Sequence, residues 1–183
     1  MSARLACATG ALLLLGACAS PGGPTSKAPT TVAASAANTT VAFRPADFAW
    51  SQVAGKGGIE GQLTYGQSGQ PFSCAASAVV LTPETPWVKR RMLILYNSDQ
   101  GSILPAADVR PRTPPGSSQD YSGYVRRTTC DASGHFSFSG LPDGSWFVIT
   151  VAKPAAAGGP PGRDVAIMRR VTLKNGQVAK VKM

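Results

Sequence analysis

Thr128 to Ala152, TTCDASGHFSFSGLPDGSWFVITVA, leaves this chain few ways to fold. Asp131-Ala-Ser-Gly134 is a turn: the aspartate accepts local backbone hydrogen bonds, and the glycine is free to take the positive φ at the exit. His135-Phe-Ser-Phe-Ser139 alternates with period two. Phe136 and Phe138 therefore share one face, and His135, Ser137 and Ser139 share the other, the pattern of a half-buried strand. Leu141-Pro-Asp-Gly144 is a second turn, because proline fixes φ and glycine relaxes it. Trp146 to Val151 is apolar on both faces and rich in aromatic and β-branched residues, as suits a strand buried inside a sandwich. Strand, tight turn and strand predict an antiparallel hairpin around which the other strands assemble.

Composition agrees with a β-rich fold. The 183 residues allow one domain and a tail. The 20 glycines and 15 prolines fit short strands joined by many turns. No long stretch shows helical spacing backed by caps, so no helix is expected.

The pattern T-x-C-D-x-x-G-x-F-x-F-x-x-L-P-x-G-x-[aromatic]-x-V is carried by Asp131, Gly134, Phe136, Phe138, Leu141, Pro142, Gly144, Trp146 and Val148. It resembles the carboxypeptidase regulatory-like domain, one of the transthyretin-like (prealbumin-like) small β-sandwiches. Gly57 to Tyr65 and Ala78 to Leu81 are similar to that family's first two strands. The resemblance implies an all-β fold, a single antiparallel β-sandwich of about seven to eight strands, serving as an accessory module. The transthyretin-like group includes a urate-pathway hydrolase with several His and Arg residues and a Tyr-Arg-Gly-Ser terminus. This chain has one histidine and ends Lys-Val-Lys-Met, so that activity is set aside.

The first residues address the protein. Met1 to Arg4 is a basic start, and Leu5 to Leu15 is an apolar run. That run is shorter than the roughly 20 residues a membrane-spanning helix needs. It ends in Leu15-Gly16-Ala17-Cys18, which resembles the bacterial lipobox. The resemblance implies acylation of Cys18, with chains such as palmitate, and cleavage before it. The other reading is an ordinary secretory signal cut near Ala19. Ala19, rather than Asp, resembles the sorting signal for the outer membrane, with the protein facing the periplasm. Residues 1–17 are thus expected as signal peptide, 18–55 as flexible tether and 56–183 as the β-sandwich. The tether is rich in Ser, Thr, Ala, Pro and Gly and cannot bury a core. Phe43, Phe48 and Trp50 interrupt it and are expected to dock on the domain as an arm, with a partner-binding peptide as the alternative.

Cys7 would leave with the signal, so Cys74 and Cys130 remain. In an oxidising compartment such a pair predicts a disulfide, with two buried thiols as the alternative. The bond would close a long loop and stabilise by about 4 kcal/mol in the chain-entropy model.

Further along, Ile59 to Tyr65, Ala78 to Leu81, Arg91 to Asn97, Tyr124 to Thr129 and the two strands of the opening stretch are expected. Ser102 to Gly123 and Lys153 to Arg163 read as loops. Asp164 to Leu173 and Gln177 to Met183 read as a last hairpin around Asn175-Gly176. In its final strand Ala179, Val181 and Met183 face in and Lys180 and Lys182 face out.

No catalytic set stands out. His135 is alone on the outer face of its strand, and no Gly-x-Ser-x-Gly elbow is present. The nine acidic residues are scattered, so neither metal nor cofactor is expected. The formal charge of +9 favours anionic neighbours. Trp87, Arg90, Arg91, Tyr121, Tyr124, Arg126 and Arg127 are the candidate binding surface, against the alternative of a solvated basic face. An exported compartment argues against nucleic acid. The expected function is a non-catalytic, lipid-anchored envelope module binding a protein partner or an anionic glycan. The alternative is a small envelope hydrolase using the 102–124 loop and His135.

Overall fold

The structure, a computed structural model, describes residues 41–112, 120–155 and 162–183. Cys18, the signal segment, most of the expected tether and parts of both expected loops lie outside the described residues. The described residues belong to one compact unit, Thr39–Met183.

Ten strands are present among the described residues: β1 Gly57–Gln62, β2 Gly66–Gln67, β3 Gln70–Ser73, β4 Ala78–Pro83, β5 Gly101–Pro105, β6 Arg126–Thr129, β7 His135–Leu141, β8 Gly144–Pro154, β9 Val165–Leu173 and β10 Val178–Lys182. They form a β-sandwich. In the smaller sheet β1 lies between β10, to which it is parallel, and β7, to which it is antiparallel. The larger sheet is built on β8, flanked along its length by β9 and β4, with β5 beyond β9 and β6 beyond β4. The far end of β8 also pairs with β3, which carries β2.

Alternation along β8 and β9 creates two cores. Trp146 and Val148, with Val165, Ile167, Val171 and Leu173, face the smaller sheet and meet Ile59, Phe136, Phe138 and Leu141. Phe147, Ala166 and Met168 point the other way, into a second cluster with Phe48, Val88, Met92, Leu95 and Tyr96. The two-sided apolarity of β8 thus has a cover on each face.

One of those covers is a helix where the sequence predicts a strand. Pro86–Tyr96 is α-helical (α1), so Arg91 to Asn97 is not a strand. Thr85 caps it, its Oγ1 accepting from the Val88 N–H at 3.1 Å, and Pro86 occupies the first turn, where no N–H is needed. Asn97, at φ 55°, closes the other end by donating its N–H to Leu93 O. Val88, Met92, Leu95 and Tyr96 are spaced as one buried helical stripe, while Leu93 and Ile94 are exposed.

Two expected hairpins are instead crossings between sheets. β7 belongs to the smaller sheet and β8 to the larger, and β9 and β10 are divided the same way. Asn175 and Gly176 both have positive φ, 58° and 63°, as a type I′ turn requires, yet their flanking strands do not pair. Asp143 ties the two crossings together, its carboxylate oxygens accepting from the Asn175 N–H at 2.6 Å and the Gly176 N–H at 2.9 Å. The expected loop after residue 101 is also more ordered than predicted. It contains β5, one helical turn at Ala106–Val109 (α2), and 3-10 turns at Arg110–Arg112 and Ser122–Tyr124.

The arm docks as its aromatic residues suggest, and it is folded. Pro45–Gln52 winds into a 3-10 helix, and Phe48 is fully buried in the second core. Burial of such a side chain is worth about 1.5–3 kcal/mol. The compact unit therefore extends back past position 56. Cys74 and Cys130 form the disulfide, with Cα atoms 5.7 Å apart. It joins the chain leaving β3 to the end of β6, and both cysteines are buried. Ala179 and Val181 of β10, and Met183 just after it, pack on the first core, and Lys180 and Lys182 are exposed.

Candidate functional site: a cleft at the start of the helix

Four separate segments meet where α1 begins. The arm brings Trp50, the β4–α1 junction brings Glu84, Thr85 and Pro86, the β7–β8 crossing brings Asp143, Gly144 and Ser145, and β9 brings Arg170. With Lys89 they line a cleft of about 510 Å³. Trp50 is half-buried and packs edge-on against Trp146, ring centroids 5.0 Å apart. Gly144 makes that approach possible. A Cβ there would lie 2.3 Å from the Trp50 ring, and its φ of 146° also favours glycine.

The polar rim is held by a network. The Arg170 guanidinium donates through Nε to the Glu84 carboxylate, and through Nη2 to Ser145 Oγ at 3.1 Å. Ser145 Oγ is 2.9 Å from Thr172 Oγ1. Lys89 Nζ lies 3.0 Å from Asp99 Oδ2 and 4.0 Å from Glu84 Oε1. The hydrogen bond from Lys89, helped by one from Gln100, holds the Asp99 carboxyl below the usual carboxylate range. The Glu84 N–H donates to Ser145 O at 2.8 Å, which fixes the β4–α1 junction to β8. An aromatic face and preset donors and acceptors thus stand around one concavity, the composition of a small-molecule site.

The predicted binding surface is divided by the fold. Trp87 and Tyr121 meet edge-on at 5.0 Å, and the Arg91 guanidinium lies 5.6 Å from the first ring and 5.7 Å from the second. Beneath them burial pushes the Tyr96 hydroxyl up to about 12, with Tyr121 adding to the rise and Arg91 opposing it. Tyr124 packs on Phe48, centroids 4.5 Å apart, and so belongs to the aromatic seat of the arm. Arg126 is a structural clamp. It donates to Ser139 O, Gly140 O and Ser51 O and lies 5.8 Å from the Trp146 ring. Arg90, on α1, and Arg127, on β6, are exposed.

His135 lines a different groove, of about 400 Å³, with Glu60, Thr128, Thr129, Asp131 and Ser137. Among the described residues, none from 102–124 lines that groove. His135 Nδ1 is 3.7 Å from Asp131 Oδ1, beyond hydrogen-bond range. That oxygen instead accepts the backbone N–H of His135 and of Ser133, both at 2.8 Å. These bonds, the His135 one foremost, hold the Asp131 carboxyl below its ordinary range. Asp131 is the cap of its turn and does not orient the imidazole. Among the described residues no three His, Cys, Asp or Glu side chains are grouped to hold a metal ion.

The sequence singles out Trp50 as a docking residue, but does not join it to Glu84, Lys89, Asp143 or Arg170. The available signal was an aromatic residue in a polar run, together with a Glu-Thr-Pro helix start.

No family model matches the chain, and no curated protein does. Among solved structures it is similar to a Pseudomonas aeruginosa protein provisionally described as carbohydrate-binding. Identity is 24%, the TM-score is 0.55, and the match covers 77% of this chain and 96% of that one. It also matches GBS52, the minor pilin of Streptococcus agalactiae, at 19% identity and a TM-score of 0.32, over 73% of this chain and 44% of the pilin. The first likeness is one of fold.

Proposed function

We propose that this chain is a non-catalytic glycan-binding module of the cell envelope, with the cleft at the start of α1 as its binding site. The observation that carries the reading is Trp50, held beside Glu84, Lys89, Asp143, Ser145 and Arg170 in one concavity. A sugar ring presents apolar C–H faces and a rim of hydroxyls. An aromatic face beside fixed hydrogen-bonding groups matches both. The carbohydrate-binding description of the structurally similar Pseudomonas aeruginosa protein supports the same reading. The lipobox-like Leu15-Gly16-Ala17-Cys18 supports a lipid anchor on Cys18, and Ala19 after it supports a periplasm-facing position at the outer membrane. An accessory domain of the carboxypeptidase regulatory-like type fits this role and this β-sandwich.

Affinity electrophoresis through gels containing envelope polysaccharides tests the reading. At least one polysaccharide should retard the protein, and Trp50→Ala should weaken the retardation about tenfold or more. Migration unaffected by every polysaccharide would overturn it.

A further inference from the structure

We infer that the cleft takes an uncharged, polyhydroxylated ring, a neutral hexose or a chain of them, and not an acidic glycan. The inference rests on the glycan-binding reading and narrows it. The overall charge of +9 suggests the opposite, but the cleft does not share it. Its lining holds two acids, Glu84 and Asp143, and two bases, Lys89 and Arg170. All four are already engaged. Arg170 is bound to Glu84 and Ser145, and Lys89 to Asp99. Both oxygens of Asp143 accept backbone N–H groups.

A carboxylate or sulfate entering here would have to draw Arg170 from Glu84 or Lys89 from Asp99. Either move leaves a carboxylate without its cation and sets it against the incoming anion. The start of α1 does not reverse this. Thr85 occupies the Val88 N–H, Pro86 has no N–H, and Glu84 places a negative charge beside the helix end. Hydroxyl groups are suited to the same network because each both donates and accepts. They can accept from Arg170 and Lys89 and donate to Glu84 Oε1, which is 4.0 Å from Lys89, without separating any pair. Trp50 takes the apolar ring face. The surplus positive charge lies elsewhere, on exposed residues such as Arg90, Arg127, Lys180 and Lys182.

The test is affinity electrophoresis of the full chain in two series of gels. One series contains neutral polysaccharides (dextran, galactomannan, hydroxyethylcellulose), and the other contains polygalacturonate and alginate. Each is run at low and at moderate salt. Retardation by a neutral polysaccharide is expected, unchanged by salt and weakened about tenfold or more in Trp50→Ala. Ser145→Ala, which removes a hydroxyl from the rim network and leaves the arm intact, should weaken it less. Retardation by acidic polysaccharides alone, fading with salt, overturns the inference and leaves the glycan-binding reading standing. Neutral-glycan binding that survives Trp50→Ala places the ligand elsewhere and overturns the inference. Retardation in neither series overturns both.

Discussion

Phe48→Ala should disable the cleft although Phe48 does not line it. Phe48 is fully buried, with its ring 5.2 Å from Phe43, 4.5 Å from Tyr124 and 6.5 Å from Trp87. Truncating a buried phenylalanine costs about 3–5 kcal/mol when the structure around it stays in place. Here the structure has a cheaper response. The arm lies on the surface and can lift, so the loss of global stability is capped at the free energy of docking the arm. Phe48 burial supplies about 1.5–3 kcal/mol of that docking. The rest comes from the Trp50–Trp146 contact, the Arg126 bond to Ser51 O and the Gly55 N–H bond to Gly140 O. Trp50 sits two residues from Phe48 on the same 3-10 helix and leaves with it. Hydrogen exchange read by mass spectrometry should therefore show peptides spanning 45–52 losing protection while β8 and β9 keep theirs. Glycan retardation should fall in parallel. Unchanged exchange over 45–52, or glycan affinity equal to the unsubstituted protein, would refute this coupling of arm to site.

Thiol labelling without reductant should leave Cys74 and Cys130 unmodified, and a Cys74→Ala, Cys130→Ala protein should lose about 2–4 kcal/mol in denaturant titration. Rapid labelling of both cysteines in the native protein would remove the bond. Asp131 has a folded-state carboxyl held below its ordinary value, so its stabilisation is present above the unfolded carboxyl range and is lost as pH falls through the folded value. The stability gap between the unsubstituted protein and Asp131→Asn should be constant near neutral pH and close on acidification; a gap that widens in acid would contradict the capping role. Intact mass of protein purified from membranes should show Cys18 acylated and residues 1–17 removed, and an unmodified N-terminus would end the lipid-anchor proposal.

Turn chemistry was legible in the sequence, and topology was not, for a physical reason. Asp131 to Gly134 and Asn175-Gly176 adopt the conformations their residues favour, with Gly134 at φ 79°. A turn residue sets how the backbone reverses, but not which strand each arm will pair with. The competition for β8 decides that. β8 is apolar on both faces, and both its edges are filled along its length by β9 and β4, so β7 pairs with β1 instead. Two-sided apolarity also carried a message that local reading of residues 91–97 missed. If one face of β8 meets the smaller sheet, the other needs a cover. Val88, Met92, Leu95 and Tyr96 at helical spacing, behind a Thr85-Pro86 start, are that cover. The run Met92-Leu-Ile-Leu95 is too short for its own period to separate helix from strand.

The same competition explains why the cleft could not be read from local pattern. Its lining combines residues separated by most of the domain in sequence, Glu84 with Arg170 and Asp143 with the arm's Trp50. Each is unremarkable among its chain neighbours: a glutamate between prolines, one arginine of a pair, an aspartate in a turn. They converge because both sheet crossings and the helix start are brought to one place, and Asp143 fastens the two crossings there. The features that defeat a hairpin reading therefore also build the site. If β7 and β8 formed a simple hairpin, Gly144 would be an ordinary turn glycine. In the sandwich it is the gap through which Trp50 reaches Trp146 and becomes one wall of the cleft.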